Sequence, residues 1–352
     1  SSLLGPEGGG MSLIFSNGLL FTVTIFGLTI NQAIVYFINS GKIKLEKLFS
    51  SVIVFLLITS VLVFLTLILL KQIGYLSLAL PEGYQTIPFI ILVTALYFNR
   101  MLNAVLVAFL TANKEFKYQS MLLLVPGILS AAIYMSVFYG WNDVGEKAFE
   151  LVVGVTAGSM FINLLMTLYV YARVIGKFPA KSFVSWQQAK EVLTFSFINY
   201  INGALSFFIL RMDYWFIDAY WGKSSLGIYA VATQLAQLIW VIPASITPML
   251  YSYSAGMKAG ESVQLIHSAT NITLYMCLLC SLAEIVAAYF FITAIYGESF
   301  SEVRIVIPIL LIGVLPYAIV TVLGTYFASR GRNIINLHSA IVGFIVCLVL
   351  YP

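Results

Sequence analysis

Apolar residues in this chain run on continuously. Between charged or Gly/Pro-rich breaks, hydrophobic stretches occupy residues 11–38, 48–70, 86–112, 118–139, 149–172, 192–212, 226–254, 265–296, 304–329 and 334–351. Spanning a bilayer as an α-helix takes about 20 such residues at 1.5 Å each. A transmembrane barrel would instead show roughly ten-residue strands of alternating polarity. The pattern therefore predicts ten membrane-crossing helices joined by short loops.

Composition excludes the alternatives. Of 352 residues, 61% are hydrophobic and 9% charged, with mean hydropathy +0.99, whereas soluble domains carry roughly 25% charge. An aromatic content of 15% excludes disorder. The fold class expected is an all-α integral membrane protein. Ser1–Gly8 has no initiator Met and no basic segment, so it reads as neither a translation start nor a signal peptide. Tyr351-Pro352 follows directly on an apolar run, and both ends are expected to be cut.

Charge then orients the spans. Twelve of the eighteen cations lie in alternate loops: Lys42, Lys44, Lys47, Lys114, Lys117, Arg173, Lys177, Lys181, Lys190, Lys258, Arg330 and Arg332. Five, namely Lys71, Lys147, Arg211, Lys223 and Arg304, lie on the other side, and Arg100 stands inside a span. The positive-inside rule makes the richer side cytoplasmic. Residue 1 then faces outward, so an odd number of spans, most simply one, should precede it.

An internal repeat agrees. Gly5 and Gly10 before the first span match Gly222 and Gly227 before the seventh at an offset of 217, which also lays Thr111–Asn113 on Ala328–Arg330. Six spans separate the copies, and an even number preserves orientation, so the halves should be related by an axis along the membrane normal. The domains expected are an N-lobe over 1–175, a basic linker over 176–191 and a C-lobe over 192–352. Trp186 among polar residues in Ser182–Gln188 suggests an interfacial amphipathic helix in the linker.

Candidate chemistry is confined to polar groups inside spans. There is no Gly-x-x-x-x-Gly-Lys-Ser/Thr loop, no HExxH and no Ser/His/Asp set, so neither nucleotide cofactor, metal nor catalytic residue is expected. His267 and His338 are isolated, Cys277-x-x-Cys280 lacks further ligands, and Asn271-Ile-Thr273 falls within a span. Arg100 is the sharpest feature: it lies 13 residues before Asn113 and 14 after Thr86, roughly 20 Å from each helix end. A guanidinium at that depth costs about 2.5–3.5 kcal/mol and must face protein or a wet cavity. Asn99 and Asn103 widen the polar stripe beside it. Two readings stand: an Arg capping carbonyls inside the bundle, or a receptor for an anion, for which its planar fork suits phosphate.

The second lobe carries Arg211, Asp213, Asp218 and Lys223 towards the outward end and Glu284 deeper. Arg211 and Asp213 can satisfy each other. Glu284 can pair with Arg211 or Arg304, or titrate as a coupling carboxylate, a role also open to Asp213. Pro126, Pro243, Pro248, Pro308 and Pro316 fall inside spans, where each removes an amide hydrogen bond and favours a kink.

Leu4-Gly5-Pro6-Glu7-Gly8 with Gly10, and Arg211-x-Asp213 followed by Trp221-Gly222, Leu226-Gly227-Ile228-Tyr229-Ala230-Val231-Ala232, Pro243 and Pro248, resemble the polysaccharide-export family. This comprises the Wzx-like O-antigen and repeat-unit flippases, in the superfamily that contains the multidrug MATE exporters. The resemblance implies two six-helix lobes around a cavity of alternating access, of which this chain would cover helices 2–11. It implies an undecaprenyl-diphosphate-linked oligosaccharide moved from the cytoplasmic to the outer leaflet of a bacterial inner membrane. Expected partners are that substrate, membrane lipids and the glycan polymerase and chain-length machinery, with no nucleic acid. Arg100, Asn99, Asn103 and Arg211 would meet the substrate, with Glu284 and Asp213 in coupling. The alternatives are a MATE-like cation or drug antiporter and, from another class, a membrane-embedded glycan polymerase or acyltransferase.

Overall fold

The structure, a computed structural model, describes residues 15, 18–20, 22–76, 80, 81, 83–140, 148–176 and 182–350. The segment Leu4–Gly10 lies outside them. Among the described residues the regular structure is helical throughout: α1 (Ile30–Asn39), α2 (Leu45–Ile73), α3 (Ile87–Ala112), α4 (Phe116–Gly140), α5 (Ala148–Val174), α6 (Trp186–Ala236), α7 (Val241–Gly256), α8 (Ala259–Tyr296), α9 (Val303–Ser329) and α10 (Asn333–Leu350), with short 3-10 turns at Gln237–Trp240 and Glu298–Phe300. Among the described residues, ten helical stretches are long and apolar enough to cross a membrane. The protein is a multi-pass membrane protein. Most span limits fall within a few residues of the hydropathy breaks, because helix ends coincide with the charges that water must solvate. The sixth differs, running over 186–222 where 192–212 is predicted.

Two compact units divide the chain at Ser196/Phe197. In the first, α3 is the central helix and packs on α1, α2, α5 and α4. Its core includes a ring cluster of Phe49, Phe109 and Tyr171, with centroids 5.2–6.4 Å apart. In the second, α9 is central against α8, α7 and α10, and its core joins Ala232, Ala236, Cys277, Ala288, Ile292, Val303, Ile307, Leu311 and Val314.

The repeat register holds in the backbone. At the end of α3 Lys114 adopts φ 64° and at the end of α9 Gly331 adopts φ 72°, positions 217 apart. The closing bonds match: Glu115 N–H to Leu110 C=O at 3.0 Å and Arg332 N–H to Phe327 C=O at 2.8 Å. This six-to-one bond ends a helix on a left-handed residue. Lysine, with its Cβ, holds that conformation at a cost of about 1–2 kcal/mol that glycine escapes.

The two breaks at positive φ fall away from the prolines, and among the span prolines only Pro243 follows directly on an interruption, the 3-10 turn at Gln237–Trp240. Leu28 and Thr29 have φ 45° and 49°, interrupting the first span just before α1, and Thr29 Oγ1 donates to the Ser196 carbonyl at 3.0 Å. Gly222, at φ 76° and ψ 177°, interrupts α6, whereas α4 and α9 continue through Pro126, Pro308 and Pro316. The lead-in to α6 is not a separate amphipathic helix. Residues 182–185 are non-helical, and Ser185 and Gln188 exchange backbone-to-side-chain bonds of 3.1 and 3.3 Å, a capping box that starts the helix at Trp186.

Candidate functional site

In unit 1, Arg100 stands mid-way along α3 with its side chain exposed. Ile91, nine residues earlier, is 54% exposed, and at about 100° per residue it lies on the opposite side of the helix. Val93 and Tyr97, seven and three residues before Arg100, are 2% and 0% exposed. Arg100 thus emerges beside the packed face of α3, away from the exposed apolar face. Among the described residues no side chain or carbonyl receives its guanidinium, and Asn99 is likewise unpartnered. Asn103 turns to α5: its Oδ1 lies 3.5 Å from the hydroxyl of Thr167, which donates to the Asn163 carbonyl at 2.9 Å. Thr167 is fully buried. Asn163 and Thr167 escaped the sequence reading because only packing brings α5 to this level.

In unit 2 the polar residues gather around the Gly222 break. Arg211 Nη1 donates to Tyr214 Oη at 2.7 Å and Nη2 to Gln237 Oε1 at 3.3 Å, and its carbon lies 5.1 Å from the Tyr214 ring centre. Asp213 Oδ1 accepts the Tyr214 N–H at 3.0 Å and Oδ2 accepts the Tyr229 hydroxyl. The Tyr214 and Tyr229 rings meet edge-to-face at 5.7 Å. Asp213 and Tyr229 are 16 residues apart, about 24 Å along a straight helix, so their hydrogen bond requires the chain to double back at Gly222. Arg211 and Asp213 make their hydrogen bonds to other partners and not to each other, although the guanidinium is near enough for its charge to reach the carboxyl. Tyr214 was legible as the i+3 neighbour of Arg211, but Tyr229 and Gln237 were not, since the reversal alone brings them near.

Glu284 lies 12 residues before the end of α8. It is on the side of the helix that buries Cys277, Ser281, Ala288 and Ile292. Its Oε1 is buried with no hydrogen-bond partner. The expected pairing with Arg304 or Arg211 is not made. Arg304 donates to Thr293 Oγ1 and stands 5.5 Å over the Tyr289 ring, and Thr293 is nine residues beyond Glu284, about 14 Å along the helix. Among the described residues no three His, Cys, Asp or Glu side chains gather as metal ligands. His267 and His338 lie near the basic ends of α8 and α10.

Residues 1–253 match the family described as polysaccharide biosynthesis protein. The chain belongs to that family. Among solved structures, this family member is similar to an outward-facing multidrug resistance MATE transporter of the MOP superfamily, with TM-score 0.65 and 17% identity over 98% of this chain and 88% of that one. It is also similar to a MATE in complex with MaL6, with TM-score 0.66 and 15% identity over 98% and 88%. A third is the MATE transporter ClbM in complex with Rb+, with TM-score 0.59 and 14% identity over 97% and 83%. At such identities the likeness is one of fold. No curated protein matches the chain.

Proposed function

We propose that this polysaccharide biosynthesis family member is a flippase that carries an undecaprenyl-diphosphate-linked oligosaccharide from the cytoplasmic to the outer leaflet of a bacterial inner membrane. A diphosphate and several sugars cannot cross about 30 Å of hydrocarbon unaided, because each unpartnered polar group costs several kcal/mol there. A transporter lowers that barrier by lending its own donors and alternating which leaflet they face. The observation that carries the reading is Arg100: a planar guanidinium fork at mid-span in a polysaccharide family member, exposed and unpartnered among the described residues. Such a group suits the diphosphate, with Asn99 and Asn103 beside it for further polar contacts. Arg211, its donors directed to Tyr214 and Gln237, serves the substrate by exchanging one of those contacts. The reaction breaks no covalent bond.

The test is surface glycan in a strain lacking its own flippase, complemented by the full-length gene. Charge-assisted contacts are worth about 1.5–3 kcal/mol each, so Arg100→Ala should reduce export more than tenfold at normal membrane abundance. Arg100→Lys should recover part of it, keeping charge without the fork. Full export by Arg100→Ala would refute the anion-receptor role.

The second reading, a MATE-like cation or drug antiporter, draws on Glu284. An unpartnered carboxyl inside a span is what cation coupling needs, yet among the described residues of unit 1 no Asp or Glu lies mid-span. Glycan export without drug export separates the two.

A further inference from the structure

The basic end of unit 1 carries a patch that the transport reading does not use. Lys42, Lys44, Lys47 and Lys190 are all exposed there, on the loop between α1 and α2, the first turn of α2 and the start of α6. Two contacts gather them. The Val184 N–H donates to Ser51 Oγ at 3.0 Å, fixing the lead-in of α6 on the second turn of α2, four residues from Lys47. The Tyr36 ring stacks on Phe195 at 4.7 Å and 7°, fixing the end of α1 on α6. Lys42 Nζ in turn donates to Tyr36 Oη at 2.9 Å and sits 5.0 Å over that ring. Two large apolar side chains project from the same lead-in: Phe183 at 58% and Trp186 at 81% exposure. Glu46 and Glu191 are the acidic neighbours, leaving the cations in excess.

The matching end of unit 2 is different. Arg330 is committed to the carbonyls of Met257 and Ser254 at 2.7 and 3.3 Å, which leaves Lys258 and Arg332 exposed against Glu261. Charge placed only to orient the spans would not need aromatic side chains among it, nor one unit so favoured over its repeat.

We infer that this cationic and aromatic patch on unit 1 is a binding surface for anionic phospholipid of the cytoplasmic leaflet. The lysines meet the headgroup phosphate, while Trp186 and Phe183 lie at the level of the glycerol and upper acyl chain. An indole with one wet and one apolar side suits that level. The surface is separate from Arg100, which stands mid-span. Each lysine near an anionic surface strengthens binding about fivefold before screening.

The test uses the full chain in vesicles of phosphatidylcholine with 20% phosphatidylglycerol, bromine being placed on the acyl chains of one lipid at a time. Bromolipid quenching of Trp186 is the fluorescence difference between the native chain and Trp186→Phe. Brominated phosphatidylglycerol should quench Trp186 several-fold more, per mole of lipid, than brominated phosphatidylcholine, and 0.5 M NaCl should remove the preference. The quadruple variant Lys42→Gln/Lys44→Gln/Lys47→Gln/Lys190→Gln should lose it, whereas Lys258→Gln/Arg332→Gln should keep it. The salt arm needs no lysine variant, so the inference stays open to refutation even if the quadruple variant misfolds, and a preference that survives 0.5 M NaCl would overturn it. Equal quenching by both lipids, or an unchanged preference in a folded quadruple variant, would overturn the inference. So would competition by 10 mM inorganic phosphate, which would mark a free-phosphate site instead.

Discussion

Replacing Gly222 by alanine isolates the backbone reversal on which the Arg211–Asp213 cluster depends. Gly222 has φ 76° and ψ 177°, a region essentially closed to side-chain-bearing residues and costing about 1–3 kcal/mol when one is forced into it. A Cβ built there meets nothing within 4 Å, so the penalty is conformational and not a clash. Gly227 is the internal control. Its added Cβ also meets nothing within 4 Å, but it carries no positive φ. Alanine there should stabilise the helix by about 0.5–1 kcal/mol. The assay is thermal unfolding of the detergent-solubilised chain, followed by helical circular dichroism under one set of conditions. A loss of 1–3 kcal/mol lowers the midpoint by roughly 2–4 °C per kcal/mol, so Gly222→Ala should melt several degrees below the native chain and Gly227→Ala at or slightly above it. A relaxed reversal also removes the Tyr229–Asp213 hydrogen bond. Tyr229→Phe should therefore cost about 1 kcal/mol in the native background and much less in Gly222→Ala. Equal midpoints for the two alanine variants would refute the conformational argument, and full additivity with Tyr229→Phe would refute the link to the cluster.

Two other outcomes follow from the same geometry. Because Glu284 has no ion-pair partner to lose, Glu284→Gln should leave the unfolding midpoint within about 0.5 kcal/mol of native, whereas breaking a buried pair would cost about 3–5 kcal/mol; if the carboxyl couples transport, export by this variant should no longer follow the ion gradient, and unchanged gradient dependence would remove it from the mechanism. Single cysteines at Ser40 and Ser182, in a background without native Cys, should resist a membrane-impermeant thiol reagent in intact cells, and labelling of either would reverse the orientation read from the lysines.

The spans, their limits and the repeat were legible in the residues because hydropathy and left-handed helix ends are local. A run of apolar side chains has one favourable environment wherever its neighbours lie. Lys114 and Gly331 end corresponding helices because each copy must stop at the membrane surface. The depth of Arg100 was legible for the same reason, being a count of residues along one helix. What only tertiary structure decided is which polar groups meet. Arg211 and Asp213, two residues apart in sequence, point to different sides of their helix and find Gln237 and Tyr229 only because Gly222 turns the chain back. Glu284 is left without a cation because Arg304 bonds Thr293, about 14 Å along α8 from it. Pro126, Pro248, Pro308 and Pro316, conspicuous breakers in the sequence, lie within helices that continue, while the first span breaks at Leu28 and Thr29, where Thr29 bonds the Ser196 carbonyl. A hydrogen bond or ion pair exists only at contact distance. In a helical membrane protein that distance is set by packing between segments far apart in the chain, which residue pattern along one helix does not encode.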